Sequence, residues 1–192
     1  MGFSVVFAVA IVGMVLILAS GVILTGLAEF ADEVSRENLR LLERIQAENE
    51  TSLEIVNIEP VVGGGSSTLM YVEVLNKGNT SIRAAHFTGM DIILKYFLKA
   101  DGSLKLLWLP YNPSGGENTW TVEEVNTGST SGEILNPVRI LTSSGQWDPD
   151  ETMKIRIELA QSNAVDASPG KTIFILVSAP NGVKAVSSYV FS

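Results

Sequence analysis

The apolar pattern of this chain changes period along its length, and each change marks an element. The first charged side chain is Glu29, and Phe3 to Ala28 is a run of 26 uncharged positions dominated by Val, Ile, Leu, Ala and Phe. Taken as a helix it reaches about 39 Å, beyond the roughly 30 Å hydrocarbon core of a bilayer. Helix suits lipid because it satisfies its own backbone N–H and C=O groups. The pattern predicts a membrane anchor over residues 1–28, with Phe3, Val9, Leu16, Leu24 and Ala28 along it. A secretory signal has basic residues ahead of a shorter apolar core, and no Lys or Arg precedes Phe3. Gly26-Leu27-Ala28 has the small residues that a signal peptidase selects, so removal of the segment stays open as a second reading.

From Glu29 to Glu50 the chain is rich in Glu, Arg, Leu and Ala and free of Gly and Pro, a composition that favours helix. Ala31, Val34, Asn38, Leu41, Ile45 and Glu48 alternate at three- and four-residue spacing, as a heptad seam does, with Asn38 where a polar side chain fixes register. Two readings fit residues 29–50. One is a stalk that self-associates through Val34, Asn38, Leu41 and Ile45; the other is an amphipathic helix lying on the chain's own domain.

After Glu50 the period falls to two. "SLEIVNIEPVV", "TLMYVEVLN", "DIILKYFL", "SLKLLWL", "TWTVEEV", "TMKIRIELA", "KTIFILVSA" and "VKAVSSYVF" read as strands. The triplets Gly63-Gly64-Gly65, Ala100-Asp101-Gly102 and Pro180-Asn181-Gly182 read as turns between them. Short strands separated by turn sequences predict a mainly β domain over residues 51–192, an antiparallel β-sandwich of immunoglobulin type. It lacks the Cys–Trp–Cys core signature of antibody domains. Trp108 and Trp120 stand in strand-like runs and are expected in the core. Tyr111 and Trp147 stand in loops and are candidate partner contacts, since aromatics bury much area at low entropic cost.

Composition narrows the function. With 13 basic against 21 acidic residues the net charge is −8, and no basic cluster exists to attract nucleic acid. Cysteine is absent and His86 is the single histidine, which leaves no thiolate site and no histidine pair for a metal or for acid–base catalysis. Asp148, Asp150 and Glu151 in "WDPDE" are a candidate calcium site, but they also suit a turn into the next strand. Gly63–Ser67 lacks the Lys-Ser/Thr ending and following helix of a phosphate loop. No Ser sits in a Gly-x-Ser-x-Gly elbow. The expectation is a non-enzyme without a cofactor. The acidic flank Glu29, Asp32, Glu33 and Glu37 favours a domain outside the cytoplasm. The triplets at Asn49 and Asn79 are N-glycosylation sequons that fit the same side.

"MGFS" running straight into an apolar helix, followed by one sandwich containing "VEVLNKGNTSI", resembles the archaellum (archaeal flagellum) accessory proteins FlaF and FlaG, the opening residues pointing to FlaF. The resemblance covers most of the chain. It implies a structural stator component of the archaellum motor, single-pass in the cell membrane, with its sandwich in the archaeal pseudo-periplasm. There the domain self-associates as a homodimer or homo-oligomer and binds the surface-layer protein. A FlaG-like protein and the motor complex are further implied partners, and no catalytic residue is implied. The long stalk and the segment 111–133 depart from the family. Archaeal pilins and archaellins also join an apolar helix to a sandwich, so a filament subunit is the second reading. A membrane-tethered module for a solute or for adhesion is the third.

Overall fold

The computed structural model describes the backbone of residues 3–127 and 136–192, with the side chains of these residues except 3–9, 15–28, 44 and 47. The chain divides into two units, Met1–Gln46 and Ala47–Ser192. A single helix, α1, spans Phe3–Glu50. Its solvent-facing side carries i,i+4 and i,i+3 ion pairs, Arg36 to Asp32 at 2.8 Å and Arg40 to Glu37 at 2.7 Å. Such exposed pairs contribute only tenths of a kcal/mol. Phe30, Val34, Leu41 and Ile45 are exposed as well. Among the described residues no helix is long and apolar enough to cross a membrane. The side chains of the expected anchor residues Phe3, Val9, Leu16, Leu24 and Ala28 lie outside the described residues.

The second unit holds β1 (Leu53–Gly63), β2 (Ser66–Asn76), β3 (Ile82–Arg83), β4 (Asp91–Phe97), β5 (Leu104–Leu109), β6 (Thr119–Asn126), β7 (Gln146–Trp147), β8 (Thr152–Glu158), β9 (Val165–Asp166), β10 (Thr172–Ser178) and β11 (Lys184–Val190). Eight of these are the strands expected from the alternating pattern. One sheet runs β1-β2-β8-β6, with β9 paired to the start of β2; the other runs β11-β10-β4-β5; β3 and β7 form a small pair. The pairings between these strands are antiparallel, and a single bridge, Tyr111 to Trp120, is parallel.

Alternation explains how the sheets share one core. Met70, Val72 and Val74 of β2 and Met153, Ile155 and Ile157 of β8 point inward from the first sheet. Ile92, Leu94 and Tyr96 of β4 and Ile173, Ile175 and Val177 of β10 meet them from the second. Each large apolar side chain buried this way contributes about 2 kcal/mol of transfer free energy. The β1–β2 turn is closed by Gly64 and Gly65 at φ +60° and +72°, the two left-handed positions that a two-residue hairpin of this kind requires.

Two tryptophans are placed opposite to expectation. Trp147, read as a surface contact, is fully buried, and its Nε1–H donates to the Glu151 carbonyl at 2.8 Å. The turn that follows it folds back on the chain and leaves the indole pointing inward. Trp108, expected in the core, is 55% exposed, because its register on β5 places it on the outer face. Trp120 is fully buried, as its strand suggested. Tyr111 is half-buried, with its ring against Trp120 at 4.7 Å between centroids and against Phe87 at 6.1 Å. It belongs to the rim of the core.

Candidate interaction surface

The two sheets treat water differently. On the outer face of the first, cross-strand rungs join Glu59, Tyr71, Arg156 and Thr121, and next to them Asn57, Glu73, Lys154 and Glu124. Around these rungs Arg156 pairs with Glu158, Lys77 with Glu54 at 2.7 Å, and Lys154 lies over the Tyr71 ring, while the Arg156 Nε is buried with no hydrogen-bond partner among the described residues. This is the polar-out alternation of a sheet with one solvated face.

The outer face of the second sheet is apolar. One rung reads Val186, Leu176, Ile93 and Trp108 from β11 to β5. The next reads Ser188, Phe174, Lys95 and Leu106, and Val190 and Thr172 extend the face on one side while Phe97 and Leu104 extend it on the other. Leu106 is 70% exposed and Val186 65%, with Leu104, Trp108, Phe174 and Val190 also exposed. The few polar groups are turned to serve the rings. Lys95 Nζ lies 5.7 Å from the Phe174 centroid, Lys171 Nζ 4.3 Å from that of Phe97, and Trp108 Nε1 donates to Asp91 Oδ1 at 2.8 Å. A contiguous apolar face of this kind marks an interaction site, and Trp and Phe are residues enriched at such sites.

A sequence signal for this face existed. "DIILKYF", "LKLLWL" and "TIFILVS" are near-continuous apolar runs, whereas "TMKIRIE" alternates strictly. Strands that read as runs are covered on both faces. Tyr111 and Trp147, the loop aromatics taken as contacts, are not on the face. The stalk residues Val34, Asn38, Leu41 and Ile45 are exposed along α1.

The turn after β2 explains the Asn-Lys-Gly-Asn-Thr run. Asn76 is fully buried; its Nδ2 donates to the carbonyls of Thr80 at 2.9 Å and Trp147 at 3.3 Å, and its Oδ1 accepts from Gly78 N at 3.1 Å. Its backbone is held too, the N–H donating to Glu151 O at 3.0 Å and the carbonyl accepting from Asp150 N at 2.8 Å. Gly78 is required because a Cβ there would run into the backbone of Glu50, Thr51 and Ser52. Lys77 N and Gly78 N donate to Ser52 O, and Asn79 N donates to Glu50 O at 2.7 Å.

Chemistry is sparse. In "WDPDE" the Glu151 side chain is turned inward, only 5% of the residue is exposed, and its Oε2 accepts from Asp148 N at 2.8 Å. Burial pushes this carboxyl up, the Asp148 N–H opposes the shift, and the Asp148 charge adds to it. Asp148 Oδ2 accepts from Asn136 Nδ2 at 3.2 Å. Asp148, Asp150 and Glu151 thus build a turn, and among the described residues no three His, Asp or Glu side chains converge as a metal site. His86 is exposed and lines an open depression of about 160 Å³ beside Ser81 and Pro180. Burial pushes the Tyr96 phenol up to about 12, where its O–H stays a donor to Asn163 O at 2.9 Å.

No family model and no curated protein matches the sequence. Solved structures do resemble the fold. The archaeal flagellum of Methanospirillum hungatei strain JF1 aligns over 97% of this chain and 93% of its own, at 10% identity and a TM-score of 0.59. The archaeal flagellin FlaB1 from Methanocaldococcus jannaschii aligns over 73% of this chain and 89% of its own, at 12% identity and a TM-score of 0.50. The archaellum periplasmic stator complex of FlaF and FlaG from Sulfolobus acidocaldarius is also among the neighbours, at 20% identity and a TM-score of 0.46 over 71% of this chain and 87% of that one. At such identities the likeness is one of fold.

Proposed function

We propose that the chain is a structural, non-enzymatic component of an archaellum, of the FlaF and FlaG stator type. The observation that carries this reading is the asymmetry of its sandwich, one sheet with a mainly polar outer face and the other with an exposed apolar one. A sheet face of that kind serves to hold another protein. Residues 1–28 anchor the chain in the cell membrane, residues 29–50 form a stalk that pairs through Val34, Asn38, Leu41 and Ile45, and an immunoglobulin-like sandwich stands outside. There it binds the surface-layer protein and other archaellum components, passing load from motor to wall. Multiple ladder hydrogen bonds between antiparallel strands suit a domain under load.

A filament subunit is the second reading, favoured by the fold shared with the Methanospirillum hungatei flagellum over nearly the whole chain. One fractionation separates the two. Membranes are washed with carbonate, the full-length chain is extracted in detergent, and it is sedimented with isolated surface-layer sheets. The stator reading expects retention through the wash and saturable co-sedimentation. Recovery as the main subunit of sheared filaments installs the second reading, and release by carbonate removes the anchor.

A further inference from the structure

Both triplets, Asn49-Glu50-Thr51 and Asn79-Thr80-Ser81, match the Asn-x-Ser/Thr pattern, and the fold gives them different settings. Glycan transfer requires an asparagine carboxamide that can enter a transferase together with the hydroxyl two residues on, so both groups of the triplet must be exposed at the surface. Asn49 lies within the last turn of α1. Its hydroxyl partner Thr51 is 6% exposed, and Thr51 Oγ1 already accepts from Asn181 Nδ2 at 2.7 Å. Presenting this triplet means unwinding the helix end and drawing Thr51 out of the domain.

Asn79 has the opposite setting. It is exposed in the open turn between β2 and β3, outside helix and strand. Its backbone N–H is tied to Glu50 O, while its carboxamide has no hydrogen bond among the described residues. Ser81 is half-exposed with an unengaged hydroxyl, and it lines the open depression beside His86 and Pro180. Asn76 and Gly78 hold the turn rigid from below without occupying either group.

We infer that Asn79 is an N-glycan attachment site and that Asn49 in the folded chain is not. The inference rests on the extracytoplasmic placement proposed above. In the transfer, Asn79 Nδ2 bonds to the anomeric carbon of a saccharide carried on a lipid phosphate or diphosphate. The anomeric C–O bond breaks with its electron pair remaining on the lipid phosphate, and the proton lost from Nδ2 passes to a base of the transferase.

Trypsin separates the two sites. Cleavage after Arg44, Lys77 and Arg83 yields peptides 45–77 and 78–83, each with one sequon. In full-length protein from native membranes, a saccharide mass is expected on 78–83 and none on 45–77, and both Asn79→Gln and Ser81→Ala abolish it. In intact cells, lysines of the domain are labelled in parallel with a membrane-impermeant reagent. Sugar on 45–77, or a bare 78–83 in a chain whose lysines are labelled, overturns the inference. Unlabelled lysines instead show that the extracytoplasmic placement has failed, and the inference falls with it. A transferase supplied with lipid-linked saccharide provides a second measure. It is expected to modify synthetic peptides of both triplets but the folded chain only at Asn79, and acceptance at Asn49 of the folded chain overturns the selection.

Discussion

A buried carboxamide needs partners for its donors and its acceptor, and Asn76 finds them within its own sandwich. Each such bond contributes about 1 kcal/mol net, and an orphaned partner adds to the loss. Asn76→Ala is therefore expected to lower unfolding free energy by about 3 kcal/mol, read as a shift of the urea midpoint. A loss under about 0.5 kcal/mol, the scale of an ordinary surface change, would show that the turn is held by other means. Glu151 offers a test by pH. Its folded-state affinity for a proton is raised, so its contribution to stability is complete below the unfolded carboxyl range and is lost as pH rises through the folded value. Glu151→Gln keeps an oxygen for the Asp148 N–H and cannot ionise. The variant is expected to match the parent near pH 4 and to exceed it in stability at pH 7. Equal stability at both pH values would contradict the assigned burial. At this scale the sequence told part of the story. "NKGN" was legible as a turn, but nothing local shows that Asn76 binds the carbonyl of Trp147, 71 residues away.

Among the elements, strands were readable because burial on one face enforces a period of two. That rule finds β8, whose Ile155 and Ile157 face in while Lys154 and Arg156 face out. It also detects β4, β5 and β10, but as apolar runs it says only that both faces carry greasy side chains. Which face meets the core depends on register with neighbouring strands, and this is why the strand pattern points Trp108 inward while the structure turns it outward. Trp147 is buried for the converse reason: a loop position does not show which way the following turn folds. The outer face of the second sheet yields its own prediction. Leu106→Glu with Val186→Glu puts two charges on different rungs of the apolar carpet without touching the core. The pair is expected to shift stability by no more than about 1 kcal/mol, because surface changes seldom exceed about 0.5 kcal/mol each, and to abolish co-sedimentation with the surface layer. Glu73→Lys on the polar face is the control and should bind normally. Binding lost equally in both would move the contact elsewhere on the domain.

For the whole molecule, the period of the apolar residues determined the most. An uncharged run, a helix-forming stretch and eight alternating or apolar strands were each set by local physics, since backbone geometry ties side-chain direction to spacing of 3.6 or two. Composition by itself closed off thiolate chemistry and left nucleic-acid binding without a basic surface. Tertiary structure decided the rest. It chose β11-β10-β4-β5 as one sheet, bringing Val186 and Trp108, far apart in the chain, onto one rung. It buried Thr51 while leaving Ser81 open, so that two Asn-x-Ser/Thr sequons became different places. These outcomes depend on pairings between distant segments, and a pairing is a property of two stretches of chain at once. Neither stretch carries it alone.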